Sequence, residues 1–246
     1  MNEIFEQASK LYQAALPITS NSLQILVLTR DILSQHDDGF KKANIDTKEF
    51  NKNINSARFS LLVKYYDDII ALPVNAVKEY DSLVNKIENL RDSCSLSDKQ
   101  QDIINEKSKA KFFNLAQRHA KSWLDSNDSY SRLSVEISHV YTALASAGLA
   151  DISKTDIFYD PALSQVGLSP EVVDKKLKES VVFSLTEQVV FLNNKNVPIS
   201  LWPDMLDHYI ETLEKVNYSW DQWLIESNFD QDVLEKLDEY KSLAVA

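Results

Sequence analysis

A chain of 246 residues with only three glycines and six prolines lacks the turn residues that an all-β domain needs roughly every ten positions, and its 44% hydrophobic share excludes a disordered chain. Its 26 basic and 37 acidic side chains leave a net charge of −11, a field that repels phosphate backbones and anionic membrane surfaces. A single cysteine, Cys94, excludes an intramolecular disulfide and fits a reducing compartment.

The spacing of Ile4, Phe5, Ala8, Leu11, Tyr12 and Ala15 predicts a first helix from Asn2 to Leu16, which Pro17 ends. The first ten residues hold two glutamates and no basic cluster ahead of an apolar run, so no secretory signal and a cytoplasmic location are expected. Thr19 or Ser20 is placed to cap a second helix reaching Gln35, apolar on most sides and so central, with a strand over Leu23–Thr29 as the competing reading. Arg30 and Asp31 cut that apolar run far short of a membrane span. Gly39 reads as a helix stop.

Asp46, Thr47 and Glu49 supply an N-cap and an acidic first turn for a long helix with Phe50, Ile54, Ala57, Leu61, Tyr65, Ile69 and Leu72 on its apolar face. On that assignment Asp67 and Asp68 point to water. The pattern resumes after Pro73 as Val77, Tyr80, Val84 and Ile87, which leaves either one kinked rod or two helices folded into a hairpin. Ser97 and Gln100 form a capping box for the next helix, through Leu124, which the short connection around Cys94 makes the antiparallel neighbour of its predecessor. Lys107, Lys109, Lys111, Arg118 and Lys121 on it read as a solvated face rather than a nucleic-acid patch.

The polar break at 126–129 is a candidate boundary between a long helical bundle with an αα-hairpin, 1–126, and a C-terminal helical subdomain packed on it, 127–246, with one continuous domain as the alternative. A helix from Tyr130 to Ala147 closes at Gly148, and the aperiodic stretch to Leu168 is a candidate binding segment or linker. Ser169, Pro170 and Glu171 begin another helix with a cap, a proline at its first position and an acid at its positive end. Its later half, Val181–Leu192, is rich in β-branched and aromatic residues, which keeps strand open there. Helices at Trp202–Val216, Trp220–Glu226 and Asp230–Leu243 complete an all-α chain, a bundle with long, partly elongated antiparallel helices.

The sharpest chemical pattern is Glu136 and His139, a Glu-x-x-His pair on one helix face. Di-iron carboxylate bundles use such a pair twice with two further glutamates; here it occurs once. Asp204 and His208, one turn apart, would complete a metal site if the fold brought them to His139. The bland reading is a histidine hydrogen-bonded at the bundle surface, and no cofactor is expected. His36 and His119 have no partners at zinc spacing. There is no Gly-x-Ser-x-Gly elbow and no glycine-rich phosphate cradle, and Cys94 has no histidine beside it, so its thiol reads as inert. Trp202, Trp220 and Trp223 crowd the C-terminal part as either core or partner-binding surface.

These features favour a non-catalytic helical protein that binds a protein partner through amphipathic helices or an acidic surface. A metal-dependent enzyme around Glu136 and His139 is the alternative. A soluble component of a helical pore-forming toxin system is the second alternative, while the pore-former itself comes last, because its candidate inserting segments, Leu23–Leu33 and Val181–Leu192, are short and interrupted by polar residues.

Overall fold

The computed structural model describes residues 2–126, 130–153 and 157–244, with the side chains of Asn2, Tyr130, Ser131, Asp204, Leu243 and Ala244 left out. Its ordered elements are helices, with no strand among the described residues. The chain divides into two compact units, Met1–Asn114 and Leu115–Ala246, and the division falls inside a helix.

In the first unit α1 (Asn2–Ala14) and α2 (Ser22–Ser34) form an antiparallel hairpin, shown by the edge-to-face contact of Phe5, near the start of one, with His36, just past the end of the other (5.5 Å). The connection is tied by Ser22, whose hydroxyl donates to the Ala15 carbonyl (2.7 Å) and accepts from the Thr19 N–H (3.0 Å). Thr19 and Ser20 therefore do not cap α2; the helix starts later, behind Asn21, with no side-chain cap. Gly39 does not stop a helix either. It opens the short α3 (Gly39–Lys42), and the left-handed residue ahead of it is Asp38 (φ 54°). Glycine is needed because a Cβ there would lie 2.2 Å from the Leu33 carbonyl oxygen.

The Asp46 carboxylate caps α4 (Thr47–Ala71) by accepting from the Glu49 N–H at 2.7 Å. Phe50 enters the core between Tyr12 and Phe40 (5.4 and 5.1 Å between ring centroids). Past Ala57 the buried face of α4 moves to Leu62, Tyr66 and Ile69, with Leu61 and Tyr65 only half-buried. An i, i+4 series runs ahead of a 3.6-residue repeat, and over four turns this drift changes which neighbour faces the core.

Pro73 separates two helices. Arg58 donates to the Ser93 carbonyl (2.9 Å) and Lys86 lies over the Tyr65 ring (5.8 Å), so α5 (Val77–Arg91) folds back along α4. The next helix, α6 (Asp98–Asp125), starts with Gln100 accepting from the Ser97 N–H (3.0 Å). Lys107 pairs with Asp67, and Asn114 donates to the Ile70 carbonyl (3.3 Å), so this part of α6 rises beside α4 and runs opposite to α5. Asp68 pairs with Lys64 at 2.8 Å.

The second unit contains the end of α6, α7 (Tyr130–Ser146), α8 (Pro170–Asn194), α9 (Pro203–Lys215), α10 (Trp220–Ser227) and α11 (Gln231–Ala244). The Lys176 ammonium donates to the carbonyls of Leu124 (3.0 Å) and Ser126, supplying a cation to the negative end of α6. Beyond Ser126, the break at 127–129 lies outside the described residues. Gly148 closes α7 at φ +77°, with the Leu149 N–H donating to the Leu144 carbonyl (2.9 Å).

The described part of the aperiodic stretch is anchored rather than loose. Asp160, buried, accepts from the Ala162 N–H (2.8 Å) and lies 3.1 Å from the Tyr141 hydroxyl, while Leu163 and Leu168 are buried in the short 3-10 turn that follows and just after it. Ser169 and Pro170 start α8 as expected, with the Ser169 hydroxyl accepting from the Val172 N–H. All of Val181–Leu192 is helical. It supplies Val181, Leu185, Val189 and Leu192 to a core shared with Trp202, Leu206, Leu213, Trp223 and Leu237.

Candidate functional site

Glu136 and His139 share α7, as their spacing requires. Arg132, one turn earlier, approaches a Glu136 oxygen at 3.6 Å; the other oxygen, Oε2, is buried with no hydrogen-bond partner among the described residues. His139 is exposed and lies against the half-buried His119 of α6, ring centroids 5.5 Å apart. Burial, and next the neighbouring His139, hold the His119 imidazole below its ordinary pKa, favouring the neutral ring. His208 is exposed on α9 with its ring against Tyr209 (3.7 Å), and the Asp204 side chain lies outside the described residues. Among the described residues no three histidine, cysteine, aspartate or glutamate side chains gather closely enough to hold a metal ion.

Cys94 sits half-buried in the turn between α5 and α6, where burial pushes its thiol up in spite of the Arg58 guanidinium. A thiol so placed is a poor nucleophile near neutral pH.

The tryptophans separate by position. Trp202 and Trp223 are fully buried, and each indole N–H has an acceptor: the Val197 carbonyl (3.2 Å) and the Thr186 hydroxyl (3.1 Å). These two residues build the core of the second unit. Trp220 is half-buried, against Trp223 (4.7 Å) and stacked on Tyr240 (5.7 Å), with its Nε1 buried and unpartnered among the described residues. Burial pushes the phenols of Tyr218 and Tyr240 up, assisted by hydrogen bonds to Glu226 and Asp207, with Tyr218 reaching about 12.

A surface that sequence reasoning passed over lies on α8. While Leu177, Val181, Leu185, Val189 and Leu192 face the core, the opposite side is exposed along Glu179, Phe183, Glu187 and Phe191 at four-residue steps, with Val190 beside them. Phe183 is 51% exposed, Phe191 50% and Val190 39%. The readable signal was that Val181–Leu192 carries apolar residues on every side of a helix, more than one core can take. The unit that bears this face is also the acidic one: residues 115–246 hold 21 acidic and 11 basic side chains, against 16 and 15 in residues 1–114.

The described helices include none long and apolar enough to cross a membrane. No protein-family model, curated protein or solved structure matches this chain.

Proposed function

We propose that this chain is a non-catalytic helical accessory protein that works by binding another protein, and that it does so in a reducing, cytoplasmic setting. The observation that supports this reading is the outer face of α8, where two phenylalanines and a valine stand in solvent on a helix whose other side is a packed core. Aromatic side chains gain more than other types from being covered by a partner. An acidic unit beneath them raises the encounter rate with a basic protein and lowers it with nucleic acid.

Affinity capture with the full chain from native lysate tests the reading. The expected result is one protein recovered in near-stoichiometric amount and released as salt is raised; recovery of nothing above background would overturn it. The observation favouring the metal-enzyme reading is the orphaned Glu136 Oε2 one turn from His139. Elemental analysis of the purified chain decides that point: stoichiometric iron, manganese or zinc, lost in His139→Ala, would replace the binding reading with the enzymatic one.

A further inference from the structure

We infer that the outer face of α8 is the docking site for a basic amphipathic helix of the partner, seated on Phe183, Val190 and Phe191 and held in register by Glu179 and Glu187. The inference rests on the protein-binding reading and adds to it a site and a partner chemistry.

The geometry favours a helix as occupant. Glu179, Phe183, Glu187 and Phe191 recur every four residues, and at about 1.5 Å per residue the line from Glu179 to Phe191 is about 18 Å long. A second helix repeats its own side chains at the same pitch, so its apolar i, i+3, i+4 and i+7 positions fit between these residues.

Charge decides which helix. Acid and aromatic alternate along the line, so a partner that covers the phenylalanines also covers the carboxylates, and an uncharged or acidic helix would strand them. Among the described residues Glu179 pairs with Lys175, at 3.9 Å between two exposed side chains, a contact that a partner cation displaces at little cost. Glu187 is exposed and forms no ion pair among the described residues. Lysine or arginine flanking the partner's apolar stripe satisfies both. A second copy of this chain would bring −11 against −11 and glutamate against glutamate, which disfavours self-association through this face.

The test uses the full chain and a designed helical peptide of about 18 residues, leucine on one face and lysine on the other, with its glutamate counterpart as control. Binding is followed by calorimetry at low and at physiological salt. The lysine peptide is expected to bind and the glutamate peptide not. The double variant Phe183→Ser/Phe191→Ser should weaken the lysine peptide about tenfold or more. Glu179→Gln/Glu187→Gln should weaken it several-fold and flatten its salt dependence. Ile225→Ser, which removes an apolar side chain 81% exposed on α10, should change nothing.

Each substituted residue is exposed, so circular dichroism should show every variant folded. Binding that ignores both double variants, binding of the glutamate peptide as strongly, or dimerisation that the α8 variants abolish would each overturn the proposed site. The protein-binding reading would survive those outcomes, because it fails on a different result: a lysate that yields no partner.

Discussion

Trp220 and Trp223 stand one turn apart on α10, close enough for their rings to touch, yet their indole N–H groups meet opposite circumstances. The Trp223 N–H donates to Thr186, whose hydroxyl in turn donates to the Val182 carbonyl (2.8 Å), so this ring is fastened to α8. The Trp220 N–H is buried without an acceptor among the described residues. Trp223→Phe loses a satisfied bond and leaves a small void, for an expected cost of about 2 kcal/mol. Trp220→Phe removes a donor that was already unmade and is expected to cost less than about 1 kcal/mol. Urea midpoints at unchanged slope measure both; equal losses would contradict the assignment of the two N–H groups. The sequence places both rings on one helix face but not the hydroxyl on another helix that distinguishes them.

Helix starts that depend on adjacent residues were readable, because an N-cap is a local bond. Asp46, Ser169, and Ser97 with Gln100 all sit at helix entries, whereas Thr19 and Ser20 do not cap α2, because the Ser22 hydroxyl ties that connection instead. Gly39 shows the limit of that logic. The residue type suggested a stop, while its reason is contact with a carbonyl six positions earlier. Gly39→Ala is expected to cost about 1–3 kcal/mol, since backbone rather than a flexible side chain must move. Gly148, at φ +77° with open space around its Cβ position, should accept asparagine with little loss. Thermal melting separates them: Gly39→Ala should lower Tm by several degrees and Gly148→Asn by much less. The α8 assignment over Val181–Leu192 was open for the same reason in reverse, since β-branched and aromatic content speaks for strand while burial by α9 and α11 settles helix.

At the scale of the molecule, the all-α class followed from the shortage of turn residues and the period of the apolar positions, both properties of the whole sequence. The docking face did not follow, because it is what remains of α8 after the core has taken its share. That remainder is visible only once Leu177, Val181 and Leu185 have partners and Phe183 and Phe191 have none of comparable coverage. Charge shows the same dependence on division: the net −11 is a sequence number, but its concentration in residues 115–246 has meaning only when those residues form one unit. The most direct measurement is site-specific photo-crosslinking in native lysate, with a benzophenone amino acid replacing Phe191 and, separately, Ile225. The expected result is one adduct to a basic protein from position 191, suppressed by excess lysine peptide, and no such adduct from position 225. The same adducts from both positions, or an adduct from 191 that the peptide leaves untouched, would contradict α8 as the recognition face.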